Sequence, residues 1–191
     1  MELPVDVIDF RCCEGYLGQQ LLEILPKGSS YTGIDNEYFT DKAKLKFANT
    51  EYLSNFVISD IYSLEPDKKY DIAIIQVGLR HMNRPIEVLK KMIASVKTGG
   101  LIICIDVNRE FENDGLYIDD MDYDYLCTAF DFHKIWKKEL ECEGRDYAIG
   151  MRGLPFYMRQ LGLHDVDIRM NDKVLFVNPD SNLWYSFSKA K

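Results

Sequence analysis

Residues 5–25, VDVIDFRCCEGYLGQQLLEIL, constrain the fold of this chain more than any other stretch. They begin with a short apolar run that ends at Phe10, and a tight turn holding Cys12, Cys13 and Gly15 follows. Beyond the turn, leucines recur at helical spacing: Leu17, Leu21, Leu22 and Leu25. Strand, turn and helix in this order form the opening of a βαβ unit, and the turn is where such folds bind a nucleotide-like ligand.

An acidic residue follows at the distance expected for such a ligand. Asp35 lies twenty residues after Gly15, at the end of a second apolar run. A carboxylate there can accept hydrogen bonds from ribose hydroxyls, which predicts an adenosine-binding crevice. A glycine in a strand-to-helix turn is also often required only for its positive φ. These two residues alone therefore leave both interpretations open.

Strand and helix patterns alternate over the first half of the chain. Apolar runs typical of strands occupy residues 29–35, 54–61, 70–79 and 101–107. A helix is predicted over residues 41–48, and another begins at Pro85 and stops at the KTGG segment of residues 97–100. This alternation predicts an α/β fold, a parallel sheet with helices on both faces.

The second half of the sequence is less regular. Residues 110–124 are rich in aspartate and glutamate, and an amphipathic helix is predicted over residues 126–140. A short helix capped by Gly162 comes next. Two strand patterns, residues 166–170 and 174–179, are joined by a turn and predict an antiparallel hairpin at the sheet edge.

Composition limits the kind of ligand and the compartment. The net charge of −8 opposes non-specific attraction to nucleic acid, which needs a basic face, and no apolar run reaches the length of a membrane span. A small molecule is therefore the expected partner, with neither nucleic acid nor membrane. The five cysteines form no CxxC pair and have no matching histidine spacing, so neither a metal site nor a disulfide framework is predicted. The N-terminus has no signal pattern, which predicts a cytoplasmic location.

The ordered set of elements resembles the class I S-adenosylmethionine-dependent methyltransferases. The resemblance covers residues 5–178 and is carried by DFRCCEG, by the acids of TGID and ISDI, and by YDIAIIQVGLRHM and KTGGLIICID. It implies a Rossmann-like, seven-stranded, mostly parallel sheet that ends in a C-terminal antiparallel hairpin. The whole chain, residues 1–191, would form a single domain with an acidic insertion, or lid, at about residues 108–150.

The resemblance assigns roles to the residues near the first two strands. Asp9 and the turn that holds Arg11, Cys13 and Gly15 would lie against the methionine part of S-adenosylmethionine. Asp35 would bind the ribose hydroxyls. Asp9 is equally compatible with a simple role in capping the turn.

Further roles fall on the third and fourth strands. Asp60 would hold the adenine through its amino group and Ile61 through its face, while Gln76 would lie beside the sulfonium. His81 is the candidate catalytic base, because an unperturbed imidazole titrates near neutral pH. Each has a plainer interpretation as well: Asp60 as a turn cap, Gln76 as a surface residue and His81 as a loop histidine facing solvent.

Two departures from the family pattern bear on function. The family usually shows DxGxGxG, and this chain has Arg11 and Cys13 at the first two glycines and keeps only Gly15. The larger residues are expected to add bulk where the backbone approaches the ligand, which predicts a tighter, weaker or empty crevice. The helices that usually precede the first strand are also missing. A cover is therefore expected from the acidic insertion, from residues preceding this sequence, or from a partner subunit in a homodimer.

These features predict methyl transfer from S-adenosylmethionine to a small-molecule acceptor. A catalytically inactive methyltransferase-like binding or regulatory domain is the alternative, favoured by the altered turn. A nicotinamide-dependent oxidoreductase fits less well, because the glycine pattern and the C-terminal hairpin both disagree with it. The acidic run would suit a cationic acceptor, whereas Arg145, Arg152 and Arg159 would suit an anionic one, so the charge of the acceptor stays open.

Overall fold

The computed structural model describes residues 3–107, 132–145, 149 and 153–169. The strands of this part are β1 (Asp6–Phe10), β2 (Ser30–Asp35), β3 (Leu53–Ile58), β4 (Tyr70–Gln76) and β5 (Val96–Ile105). The helices are α1 (Tyr16–Ile24), α2 (Glu37–Phe47), α3 (Pro85–Ser95), α4 (Phe132–Cys142) and α5 (Leu154–Gln160), with a 3-10 turn at Leu79–His81. The predicted alternation of strands and helices is thus confirmed through β5.

The five strands form one parallel sheet in the order β3-β2-β1-β4-β5. The chain runs outward from β1 through β2 to β3 and then returns to place β4 on the other side of β1. The strand order therefore reverses between β1 and β4. In open α/β sheets, ligands bind beyond the carboxyl ends of the strands at such a reversal.

Side chains of the sheet alternate between two apolar clusters, which places helices on both faces. On one face Val7 packs in a cluster with Leu22 of α1 and Phe47 of α2. On the other face Ile8 packs in a cluster that includes Leu89 of α3. Neighbouring residues of a strand point to opposite faces of the sheet. Alternate residues of β1 therefore pack against the helices on one face or on the other.

Helix α1 lies unusually close to the sheet at one position. A Cβ added to Gly18 would come within 2.4 Å of the Tyr31 ring of β2, so only glycine fits there. The Tyr31 ring is in turn stacked on Phe47, at 5.9 Å between centroids. This contact holds α1, β2 and α2 together beneath the turn that joins β1 to α1.

Two expectations from the sequence differ from the structure in detail. Helix α2 begins at Glu37, earlier than predicted, because the side chain of Asn36 caps it by accepting from the Phe39 N–H at 3.1 Å. Helix α3 ends at Ser95, and the KTGG segment belongs to an irregular first part of β5, where the pairing shifts between Tyr70 and Ile72. Glycines in this segment break the regular ladder instead of following the helix as a loop.

The predicted seven-stranded sheet with a C-terminal hairpin was too extensive for the part of the chain that is described, which has five strands, all parallel. Residues 166–169, expected as the first hairpin strand, form no strand there. The second hairpin strand and the acidic run at 110–124 lie outside the described residues. Among the described helices, none is long and apolar enough to cross a membrane.

Candidate functional site

The turn between β1 and α1, residues 11–15, keeps a glycine-like backbone although it has only one glycine. Arg11, Cys13 and Gly15 have φ of 65°, 49° and 77°, all in the left-handed region. The turn is anchored by two backbone hydrogen bonds, from Cys12 N to the Ile34 carbonyl at 3.0 Å and from Gly15 N to the Cys12 carbonyl at 2.9 Å. The two substituted positions therefore retain the conformation that glycine would adopt, at a cost in backbone strain.

Asp35 ties this turn to the end of β2. One of its carboxylate oxygens accepts from the Cys13 N–H at 2.9 Å, and the other accepts from the Asn36 N–H at 2.8 Å. The residue is only 6% exposed. Each carboxylate oxygen has two lone pairs, so both can accept a further hydrogen bond from a ligand hydroxyl.

Asp9 lies behind the turn and is enclosed by protein. It is 1% exposed, its Oδ2 accepts from the Tyr31 hydroxyl at 2.6 Å, and its Oδ1 is buried with no hydrogen-bond partner among the described residues. Burial raises the pKa of this carboxyl to about 7, and the charge of Asp35 adds to the rise while the bond from Tyr31 opposes it. Within the described residues Asp9 therefore bonds to Tyr31 of β2 and not to the turn, and a role at the methionine part of a cofactor stays a prediction.

The loop after β3 brings a carboxylate and an apolar side chain to the same edge. The Ser59 N–H donates to the Asp35 carbonyl at 3.2 Å, which joins this loop to the end of β2. Asp60 is exposed and accepts from the Tyr62 N–H through Oδ1 at 3.0 Å. Ile61 is 7% exposed and belongs to the core cluster. The two residues thus project in different directions from one loop.

The loop after β4 contains a further strained residue. Gln76 ends β4 with an exposed side chain, and Val77 follows with φ 49°, a genuine outlier for a β-branched residue. The Val77 N–H donates to the Ile105 carbonyl at 2.7 Å, which holds the loop to β5. His81 lies in the 3-10 turn and is exposed. Strained backbone therefore occurs after both β1 and β4, the strands that flank the reversal.

The ends of β1 and β4 also meet through side chains. A Cβ built on Gly78 would lie 3.7 Å from Arg11 Cδ, so the arginine side chain extends from the β1 turn to the loop after β4. Farther along, the Arg80 N–H donates to Asp106 Oδ2 at 3.1 Å, and burial raises the pKa of that carboxyl. The carboxyl ends of β1 to β4, with their loops, form one polar edge that we call the crevice.

Three residues that lie on this edge or bond to its residues were not singled out from the sequence: Asp106, Tyr31 and Val77. Asp106 ends the apolar run of β5 as Asp35 ends that of β2, so the same strand-end signal could have found it. Tyr31 reads as an ordinary strand residue, and its bond to Asp9 depends on β1 and β2 pairing. The strain at Val77 has no signal in a single sequence.

The residues of the crevice are chemically suited to an adenosine joined to an amino acid. No cluster of histidine, cysteine or acid side chains able to hold a metal occurs among the described residues. Burial, and next the charge of Asp35, raise the pKa of the exposed Cys13 thiol, which keeps it protonated near neutral pH. The crevice presents carboxylates that can accept hydrogen bonds from hydroxyl and amino groups, beside a turn of glycine-like backbone.

Comparisons with known proteins identify the family to which this chain is similar. A family model described as a methyltransferase domain matches residues 4–145, which is 142 of the 191 residues. A tRNA U34 carboxymethyltransferase of Nautilia profundicola is 36% identical over 106 residues, covering 51% of this chain and 33% of the relative. A ubiquinone biosynthesis O-methyltransferase of Coxiella burnetii is 30% identical over 108 residues, covering 56% of this chain and 45% of the relative.

Solved structures show the same fold. The plantazolicin methyltransferase, solved in complex with a pentazolic desmethylPZN analog and SAH, superposes with a TM-score of 0.51 at 20% identity, covering 83% of this chain and 72% of that one. A S-adenosylmethionine-dependent methyltransferase from Clostridium acetobutylicum also gives 0.51, at 21% identity over 60% of this chain and 50% of that one. At such identities the likeness establishes the fold alone.

Proposed function

Since this chain belongs to the methyltransferase domain family, we propose that it is an enzyme that transfers a methyl group from S-adenosylmethionine to a small-molecule acceptor. The chain spans 33% and 45% of the lengths of the two curated relatives, so the acceptor is argued from this chain's own residues. When bound, S-adenosylmethionine supplies an already activated methyl group. The protein then has to align two reactants and exclude water, because orientation supplies much of the rate.

The observation that carries the proposal is the hydrogen bond of 2.9 Å from the Cys13 N–H to Asp35. It joins the glycine-like turn to the acid at the end of β2, in the crevice at the strand reversal. The bond fixes the spacing between the β1 turn, which would contact the amino-acid part of the cofactor, and Asp35, which would contact the ribose. We assign Asp35 to the ribose hydroxyls, which would use the lone pairs that the backbone donors leave.

The residues on either side of Asp35 in the crevice would bind the adenine and the amino-acid part of the cofactor. The exposed Asp60 would accept from the adenine amino group, and Ile61 would contact the face of the ring. The β1 turn through Gly15 would lie against the amino acid, with Asp9 beneath it and Gln76 beside the sulfonium. These side chains would hold or orient the cofactor, so none of them has to transfer a proton.

A small-molecule acceptor is favoured by charge. The net charge of −8 disfavours a polyanionic acceptor such as RNA, although one of the relatives carries tRNA in its name. The exposed His81 beyond β4 is the candidate base for an acceptor that must lose a proton. His81→Gln should then lower turnover with such acceptors and leave cofactor binding unchanged; weaker cofactor binding instead would assign His81 to another role.

A binding or regulatory domain without catalysis is the second candidate. Arg11 and Cys13 favour it, because on a strained, glycine-like backbone they place side chains where the family has none. Both candidates require the crevice to bind the cofactor. Only the first requires turnover.

Calorimetric titration with S-adenosylmethionine and with S-adenosylhomocysteine, followed by a radiolabel assay on a panel of acceptors, tests the proposal. Micromolar binding of both and transfer to at least one small molecule would support the enzyme. Binding without transfer across phenol, carboxylate, amine and thiol acceptors would support the binding domain. Absence of binding in a folded sample would contradict both.

We further propose that the protein is cytoplasmic and that residues 108–150 cover the crevice, with a homodimer as the other source of a cover. The described cysteines, Cys12, Cys13, Cys104 and Cys142, are all free thiols, which suits a reducing compartment. Sedimentation of the protein loaded with S-adenosylhomocysteine would separate the two covers. A monomer in that sample would exclude the dimer.

A further inference from the structure

Arg11 is the residue of the crevice whose presence the family pattern explains least. It replaces a glycine yet keeps a left-handed φ of 65°, which costs an arginine roughly 1–2 kcal/mol that glycine would not incur. Its side chain is partly buried and runs across the sheet to Gly78, beside the loop after β4. Backbone strain of this kind is retained mainly at functional sites.

The Arg11 guanidinium makes no ion pair and donates no hydrogen bond within the described part of the chain. Other arginines behave differently: Arg84, Arg145 and Arg169 each contact a carboxylate, at 3.0, 3.1 and 2.8 Å. Within the described residues the acids of this region have other partners: Asp35 accepts from two backbone N–H groups and Asp9 accepts from the Tyr31 hydroxyl. A partly buried guanidinium, on a side chain whose Cδ lies beside Gly78 of the crevice, is therefore left without a carboxylate partner among the described residues.

The ligand that would complete this arrangement is a carboxylate. A guanidinium presents two parallel N–H donors that match the two oxygens of a carboxylate, and such charge-assisted pairs are among the strongest in proteins. A cationic group such as a sulfonium would be repelled by it. The guanidinium should therefore pair with a negative group of a bound molecule.

We propose that Arg11 is a carboxylate-binding residue of the crevice, an inference that rests on the proposed function. Two sources of the carboxylate share this chemistry. One is the amino-acid end of the cofactor, which the β1 turn would contact. The other is an acceptor that carries a carboxylate, since the side chain reaches Gly78 on the side of Gln76 and His81.

The first arm of the test compares two nucleosides that differ by the amino acid. S-adenosylhomocysteine has the carboxylate and 5′-methylthioadenosine lacks it, and both are titrated into wild type, Arg11→Gln and Arg11→Lys. If the cofactor is the source, Arg11→Gln should weaken S-adenosylhomocysteine by about 10- to 100-fold and 5′-methylthioadenosine by less than about twofold. Arg11→Lys should lie between, because it keeps the charge and loses the fork.

The second arm uses protein loaded with S-adenosylhomocysteine and titrated with benzoate and with benzamide. If an acceptor is the source, wild type should prefer benzoate and Arg11→Gln should lose that preference. Lys27→Gln is the matched control, because it removes an exposed charge at the opposite ends of the strands. It should behave as wild type in both arms.

The outcomes separate the two levels of inference. If the wild type binds neither nucleoside, the proposed function is overturned, and the role of Arg11 with it. If the wild type binds both and Arg11→Gln changes neither the nucleoside discrimination nor the benzoate preference, only the role of Arg11 is overturned. Circular dichroism and thermal unfolding of each variant confirm that a loss reflects the side chain and not the fold.

Discussion

Strand β1 carries an aspartate near each end, and the two carboxyls have opposite surroundings. Asp6, at the amino end, is about one third exposed; it accepts from the Ser30 hydroxyl and pairs with Lys68 at 2.9 Å, and these contacts lower its pKa. Asp9, near the carboxyl end, is 1% exposed and has no cationic partner among the described residues, and burial raises its pKa to about 7. Asp9 lies only three positions after Asp6 in the same strand, yet the charged form is stabilised at Asp6 and disfavoured at Asp9.

The same contrast holds for the two ends of the sheet. At the amino ends lies a cavity of about 470 Å³, and several of its polar side chains already have protein partners, as when the Tyr70 hydroxyl donates to Asp67 at 3.2 Å. At the carboxyl ends, Arg11, Cys13 and Val77 hold strained conformations. This backbone strain is concentrated at the edge where the ligand is expected. Strain therefore locates the site better than the size of a cavity does.

The largest expected effect is the dependence of stability on the charge of Asp9. Its pKa is about 7 in the folded protein against 3.8 for the free group, so between those values unfolding releases a proton. The free energy of unfolding should therefore fall by about 1.4 kcal/mol per pH unit over that window because of this residue, and level off above it. Asp9→Asn should remove this slope, measured by urea unfolding at pH 4.5, 6 and 8.

Asp6→Asn is the matched control at the other end of β1. The pKa of Asp6 is lowered in the folded state, so its stabilising effect is present above about pH 4 and is lost as the pH falls. This variant should keep the slope between pH 4.5 and 7. Equal slopes in Asp9→Asn and wild type would show that Asp9 is ionised or hydrated in the fold.

The next effect is on cofactor binding. Asp35→Ala should weaken S-adenosylhomocysteine by roughly 2–3 kcal/mol, because a charge-assisted hydrogen bond is lost and its partner is left unpaired. Asp71→Ala is the control at the amino end of β4, where the carboxylate accepts from the Asp6 N–H and pairs with Lys97. It should leave the affinity unchanged. Calorimetry decides, and equal losses in the two variants would remove Asp35 from the site.

Much of the fold was predictable because the signals are local. Apolar runs gave β1 to β4, Pro85 marked the start of α3, and the strand ends located Asp35 and Asp60. The conformation of the β1 turn was harder to predict. Arg11 and Cys13 were expected to fill the turn with bulk, whereas the backbone takes the glycine-like path and sends the Arg11 side chain to Gly78.

What the sequence could not show depends on contacts between distant residues. The hydrogen bond between Tyr31 and Asp9 forms only when β1 and β2 are in register. It gives the carboxyl of Asp9 a partner inside the protein, where a strand residue's polar group would otherwise be unpaired. Val77 is strained because β5 holds its N–H, and no residue type signals such a constraint. Whether a polar residue at a strand end meets a ligand or a neighbour is decided by tertiary structure.

A smaller effect should follow from relief of strain. Val77→Gly and Cys13→Gly each relieve a strain of roughly 1–2 kcal/mol in a left-handed conformation and add glycine's entropy cost of about 0.5–1 kcal/mol, so each should stabilise by up to about 1.5 kcal/mol. Lys27→Gly, in a loop at the amino end with an ordinary φ, incurs only the entropy cost and should destabilise. Unfolding in urea measures all three, and a loss for Val77→Gly would mean that its side-chain contacts outweigh the strain.

The smallest effect concerns the ion pairs that flank the β1 turn. Glu14 contacts Lys42 at 3.1 Å and Lys46 at 2.8 Å, which joins the turn to α2, and the bond from Lys46 above all lowers the pKa of Glu14. All three side chains are about 40% exposed, so water and salt screen the pairs. Glu14→Gln should shift the thermal midpoint slightly at low salt and not at 1 M salt, with no change in S-adenosylhomocysteine affinity. A loss of affinity that persists at high salt would instead mean that α2 positions the turn, and that the rigidity of the carboxyl end extends beyond the strained residues themselves.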